Sequence, residues 1–298
     1  MVEEQSTSLE FQEVAPRVSE WRRFWRVFLQ RKIVLFGLVI LGILLITAIF
    51  ADLLAPYDPY TGVLTDSLEA PSSQYWLGTD IQGRDTMSRL IFGARTALLV
   101  GFVTTGVAAA AGIILGLMAG YFGGVTSMVI MRIMDALMGF PMILLALLIS
   151  SVLGAGIQNV IIALAVAMLP GYARVMNGLT LSLRENDYIL AGRAMGATDM
   201  RTMLRHILPN ALAPMIVLVT MQLGTLILAE AGLSFLGIGI KPPGAAWGAM
   251  VNDGYRYLTY NPVLSFAPGL AIMIVVFAFQ LVGDGLRDAL DPRLRGLL

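Results

Sequence analysis

Apolar and polar positions along this chain fall into long blocks. Residues 33–51 (IVLFGLVILGILLITAIFA) hold no charge and no proline. About 20 apolar residues in a helix cross the roughly 30 Å hydrocarbon core of a bilayer, so this block predicts a membrane span by itself. A long polar leader precedes it, with Arg22, Arg23, Arg26, Arg31 and Lys32 at its end, and Asp52 and an APYDP run follow it. A cleavable leader would carry a shorter basic region and a small-residue cleavage site, so the block is expected to stay as an anchor. Further spans are predicted over 97–119, 136–153, 211–229 and 263–282. Residues 157–169 are short for a crossing, and become adequate if the helix runs kinked through Pro170 and Gly171 to Met176. Six helices result, joined by glycine turns at 120–125 and 154–156 and by longer segments at 56–95 and 237–262.

Composition agrees with the pattern. The 298 residues are 57% hydrophobic and 13% charged, where ordinary globular chains carry about 25% charged residues. The mean hydropathy is +0.77. Formal net charge is zero, so binding to nucleic acid through bulk basicity is not expected. Without cysteine and with His206 as the one histidine, neither a thiolate site nor a multi-histidine metal centre can be built.

The basic residues set the orientation. With the N-terminus inside, fifteen of the twenty Lys and Arg lie in inside segments. The other five, Arg84, Arg89, Arg95, Lys241 and Arg256, lie outside. Both termini are therefore expected in the cytoplasm.

Polar residues inside an apolar chain are where function shows. Arg132 and Asp135 stand three apart, so one helix face would carry both as a neutralised pair. Asn177, Gln222 and Glu230 are candidates for lining a path through the membrane; each also reads as an ordinary polar residue satisfied by a neighbouring helix. A lone intramembrane glutamate makes a poor proton relay. Gly112, Gly116 and Gly120 recur every four residues, a flat strip for close helix approach. The 83–85 and Trp247 regions read either as turn and interface structure or as external contact points.

The inside segment 174–209 is too long for a turn and predicts two short helices meeting at a corner. The first runs from about Tyr188 to Met195, and Gly196 supplies a left-handed stop. Asp199 is the expected N-cap of the second. There Met200, Met203, Leu204, Ile207 and Leu208 form one apolar stripe, with Arg201, Thr202, Arg205 and His206 on the other side and Pro209 breaking or kinking the helix. Two readings stay open for this bracket: an element lying on the inner lipid surface, or a docking surface for a cytoplasmic protein.

At these residues the chain resembles a known family. The run YILAGRAMGATDMRTMLRHILPN, from Tyr188, is similar to the cytoplasmic signature of permease subunits of binding-protein-dependent ABC importers, which reads EAA, three residues, Gly, nine residues, I-x-LP. Gly196, Leu208 and Pro209 match in spacing; Leu190, Gly192 and His206 depart from it. WLGTDIQGRDTMSRLIFGAR, AGYFGG, MRIMD, LSFLGIGIKPPGAAWGAM and GDGLRDALDPRLRG resemble the dipeptide and oligopeptide branch (DppC/OppC type) in the same order.

The resemblance implies an all-α integral membrane protein of the cell inner membrane, with six transmembrane helices in the type I ABC importer permease fold. It implies a cytoplasmic tail over 1–32, a first helix and external segment over 33–95, a permease core over 96–284 with the coupling segment 174–209, and a C-terminal tail over 285–298. The implied partners are a second homologous permease in a heterodimer, two cytoplasmic ATPases, an external solute-binding protein, a peptide substrate and membrane lipid. No cofactor is implied in this chain; ATP-Mg would be bound by the ATPases, since no G-x-x-x-x-G-K-[ST] loop is present here. Arg193, Met195, Gly196, Ala197, Thr198, Asp199, Met200 and Arg201 are the implied ATPase-coupling residues. The competing reading is a stand-alone secondary transporter or channel.

Overall fold

The structure, a computed structural model, describes residues 20–290, with side chains from residue 24 onward. Arg17, Arg293 and Arg295, which entered the charge bias, lie outside the described residues, as does most of each tail. Within the described residues the order is α1 (Glu20–Gln30), α2 (Lys32–Ile49), α3 (Ala51–Leu54), α4 (Thr86–Phe122), α5 (Gly124–Met138), α6 (Met142–Leu153), α7 (Ile157–Arg184), α8 (Asp187–Ala194), α9 (Asp199–Arg201), α10 (Leu208–Phe235), α11 (Trp247–Tyr255) and α12 (Val263–Leu290). No strand forms among these residues; a single bridge joins Thr79 to Asp85. A helix satisfies its own backbone, which is why an apolar chain in lipid folds this way.

Five helices are long and apolar enough to cross a membrane, and α5 with α6, bent by 91°, brings the number to six when the pair is counted as one span. That bend corrects the sequence reading of one span over 136–153. The segment that carries Arg132 and Asp135 is a separate helix, and the chain turns at Gly139 and Pro141, where proline removes an amide donor and disfavours helix in the residue before it. The expected passage through Pro170 is found: α7 runs unbroken for 28 residues with that proline inside. The last described helix runs to Leu290, six residues beyond the expected end of the core at 284.

α7 lies at the centre, packed on α4, α6 and α10. A Cβ on Gly112 would lie 2.5 Å from Tyr172 Cβ, one on Gly116 2.3 Å from the Ala173 carbonyl, and one on Gly120 2.6 Å from Thr180 Cβ. The glycine strip of α4 is thus the surface on which α7 is laid, and any side chain there would force the helices apart. One buried cluster joins Ala108, Leu117, Leu164, Met168, Met176, Leu226 and Leu233. A second joins Leu44, Ala97, Leu98, Leu223, Trp247, Val275 and Phe279, so α2 and α12 close the other side. Phe36, Val39 and Ile43 on α2 and Phe266, Phe277 and Leu270 on α12 stay exposed, as lipid-facing apolar positions should.

Candidate functional site

The bracket follows α7 and is held from behind. Arg184, in the last turn of α7, donates from Nη1 to the Gly120 carbonyl at 2.8 Å, a cation on the otherwise unsatisfied end of α4. In α8 Ile189 is buried while Tyr188 and Leu190 are exposed. Ile189, Met203 and Ile207 belong to the same buried cluster as Tyr121 and Leu117, so the bracket's inner side is an extension of the core.

The corner forms as its sequence dictates. The Ala197 amide donates to the Gly192 carbonyl at 3.0 Å and the Gly196 amide to the Arg193 carbonyl at 2.9 Å, with Gly196 at φ +84°. These paired bonds across a left-handed glycine are a Schellman stop. The N-cap differs from expectation. Thr198 caps the next helix, its hydroxyl accepting from the Arg201 amide at 3.4 Å. The Asp199 carboxylate instead accepts a 2.6 Å hydrogen bond from the Tyr121 hydroxyl. Arg193 sits 5.8 Å from the centre of the same ring. Tyr121, which no periodicity singles out, therefore pins both arms of the bracket; an aromatic beside the glycine turn was the only available signal.

From Thr202 to Ile207 the chain forms a π turn, with the Leu208 amide donating to the Met203 carbonyl. Pro209 has no amide, and widening the preceding turn lets the helix pass into α10 without the expected break. Asn210 Nδ2 donates to the His206 carbonyl at 2.6 Å. The wide turn also rotates the faces. Thr202 is buried, against its assignment to the polar side, while Met200 and Leu204 leave the apolar stripe and stand exposed. Met195 is 83% and Met200 63% exposed. Arg193, Ala194, Gly196, Thr198, Asp199 and Arg201 are exposed around them and Ala197 half-buried. The outcome is a rigid corner with two methionines at its surface and cations on its rim.

The path-lining candidates are dispersed. Glu230 is 3% exposed and accepts from the Ser234 hydroxyl at 2.7 Å, the geometry of a polar residue satisfied inside this subunit. Asn177 is half-buried, its backbone against Gly116 and Gly120. Gln222 is half-buried on α10. Asp135 pairs with Arg174 at 2.5 Å rather than with Arg132, because α7 brings a guanidinium to the same face of α5. No metal-binding group of three or more His, Asp or Glu forms among the described residues.

At the opposite end, residues 56–95 fold onto α4 and α11. The Asp80 carboxylate accepts from Arg84 Nε at 2.7 Å and from the Gln82 and Arg84 amides at 2.8 and 3.0 Å; Arg89 Nε stands 3.4 Å away. Arg89 Nη1 donates to the Pro59 and Pro243 carbonyls at 3.0 and 3.4 Å. Asp85 caps α4, accepting from the Ser88 amide at 2.7 Å. Trp247 donates from Nε1 to the Leu90 carbonyl at 2.9 Å and is buried. Trp247 and residues 83–85 are thus engaged within the subunit, in keeping with the turn and interface reading of the two left open for them.

Residues 112–296 match the family described as binding-protein-dependent transport system inner membrane component. Residues 19–71 match the N-terminal TM domain of oligopeptide transport permease C. A glutathione transport system permease protein, GsiD, of Pectobacterium atrosepticum is 44% identical over 276 residues, 92% of each chain. A dipeptide transport system permease protein, DppC, of Alkalihalophilus pseudofirmus is 41% identical over 278 residues, 93% of this chain and 91% of that one. Among solved structures, an inward-facing MetNI methionine ABC transporter chain overlays with a TM-score of 0.56 at 24% identity, covering 69% of this chain and 98% of its own. That overlay carries the fold alone.

Proposed function

Since the chain belongs to the family of binding-protein-dependent transport system inner membrane components, and is a non-catalytic permease subunit of an ABC importer in the inner membrane, we propose that its bracket docks on a cytoplasmic ATPase and that its cargo is a small peptide. One observation supports the docking above others: the corner at 195–200 leaves Met195 and Met200 in the open while Tyr121 and Arg184 hold it from behind. A rigid elbow with an apolar tip and a cationic rim suits insertion into a groove on another protein. An element lying on lipid would instead bury its apolar residues on one continuous face.

In this reading both termini are cytoplasmic. ATP binding, with Mg, closes a pair of ATPases on each other. Their grooves move, and Arg193, Met195, Gly196, Ala197, Thr198, Asp199, Met200 and Arg201 pass that displacement into α7 and α10. Residues 96–284 act as the core and 56–95 as an external segment, a second homologous permease completes the path, and an external solute-binding protein delivers the cargo. Peptide cargo is supported by relatives named for a tripeptide and for dipeptides.

The test is purification of the assembled complex carrying Gly196→Trp, Arg193→Glu or Arg201→Glu. Loss of the ATPases, or of cargo-stimulated ATP hydrolysis, is expected while the membrane helices stay folded. Full stimulation in all three variants would overturn the docking role.

A further inference from the structure

Two features that the bracket does not explain meet on one face of the molecule. The first is the break between α5 and α6. α6 has 12 residues and is about 18 Å long, too short to cross a 30 Å layer. If α5 and α6 cross as one broken span, the 91° bend interrupts that crossing. Irregular backbone persists at that depth only where protein covers it or water reaches it. Here Met138, Gly139, Phe140 and Pro141 are all exposed, and a Cβ on Gly139 would meet only carbonyls of its own helix.

The second is the ion pair four residues before the break. Asp135 and Arg174 join at 2.5 Å with side chains 49% and 51% exposed. Arg174 stands ten residues, about 15 Å, from the end of α7. One side of α7 is packed: Tyr172, Ala173, Met176 and Thr180 are buried. On the other side Gly171, Arg174, Val175 and Gly178 are exposed, and nothing lies within 4 Å of a Cβ placed on either glycine. Half-bare charges on a membrane-crossing helix are costly against lipid, and face water, a cavity or another protein instead.

We propose that this open face of α5, α6 and α7 lines a water-filled translocation path, and that Asp135 and Arg174 take the ammonium and carboxylate ends of a zwitterionic peptide as it passes. A half-exposed pair holds itself weakly, so a solute carrying both charges can replace each partner and leave again. Gly171 and Gly178 give its side chains room. The proposal rests on the peptide-import reading above and adds the residues that meet the cargo.

The chain has no cysteine, which permits a direct test in the full complex reconstituted in vesicles. Gly178→Cys is compared with Val39→Cys, on the exposed face of α2, using a charged, water-soluble thiol reagent. Labelling of Gly178→Cys is expected to be at least about tenfold faster, because the thiolate and the reagent at the second site would have to meet in hydrocarbon. An excess of a free-ended dipeptide should slow the labelling of Gly178→Cys, and the same dipeptide acetylated and amidated should not. Equal rates at the two positions would place the face in lipid, and no labelling at Gly178→Cys would place it against the second permease; either result overturns the proposal. Equal protection by both dipeptides, or by neither, would remove the role of the ion pair. Arg174→Asp should lose uptake and Arg174→Asp with Asp135→Arg recover it; failure to recover also counts against the pair. If the unaltered complex imports no peptide at all, the fault lies with the cargo reading; if it imports peptide and the face fails these tests, the fault lies here.

Discussion

The two ends of the helical bundle handle their charges in opposite ways. At the end built from residues 56–95 and α11, Arg84 and Arg89 are 2% exposed, with a carboxylate and two carbonyls turned toward them. At the bracket end Arg193, Arg201 and Arg205 are exposed, and Met195 and Met200 stand beside the first two. Guanidinium groups can leave water only where acceptors replace it. The first end has therefore used its polar groups within the chain and is closed. The second has left apolar side chains in solvent, the surface on which the proposed docking rests. Under the proposed docking, rigidity at one end and incompleteness at the other are what a subunit needs when force arrives at one place and must not be lost elsewhere.

Breaking the closed end should have the largest effect. Asp80→Ala leaves two buried guanidiniums without their shared carboxylate and is expected to cost about 3–5 kcal/mol, read as a lowered unfolding temperature in detergent. A change no larger than that of a surface substitution would mean that the network is not desolvated. Next comes the packing between the ends. Gly116→Leu places a side chain where a Cβ already lies 2.3 Å from the Ala173 carbonyl, and should cost about 1–3 kcal/mol, checked by the same melt.

At the open end effects on stability shrink while effects on function grow. Tyr121→Phe removes the hydrogen bond to exposed Asp199 and should cost about 1 kcal/mol; faster amide exchange confined to 187–207 would confirm that this hydroxyl stiffens the bracket. Met195→Ser with Met200→Ser should change stability by no more than about 0.5 kcal/mol, yet lower recovery of the ATPases. Unchanged recovery would show that the comparison misplaces the contact.

A final test uses pH. Burial pushes the Asp253 carboxyl above its ordinary value, with Arg89 opposing. A raised carboxyl binds its proton more tightly folded than unfolded, so stability from this group falls as pH rises from about 3.8 through the raised folded value, then levels. Asp253→Asn should remove that slope, seen as unfolding temperatures that differ from the parent above the window and converge below it.

Much of the fold was legible because its signals are local. The length of α7 through Pro170, the stop at Gly196 and the strip at Gly112, Gly116 and Gly120 each depend on residues within a few turns of one another. The sites were legible only in part. Asp199 is as good a cap as Thr198 on sequence grounds; Tyr121, 78 residues away, decides between them by drawing the carboxylate off. Asp135 finds Arg174 across 39 residues for the same reason, and Glu230 vanishes into the interior because α10 turns that face toward its neighbours.

The sequence by itself determined that this chain crosses a membrane several times, where most of the crossings run, and that an elbow with Gly196 at its corner follows the helix through Pro170. Hydrophobic length and backbone freedom are properties of short stretches, independent of what lies across the bundle. Only the tertiary structure decided which charges are consumed inside the subunit and which remain exposed. Partner choice depends on helix rotation and depth, and a π turn or a 91° bend resets both for every residue that follows.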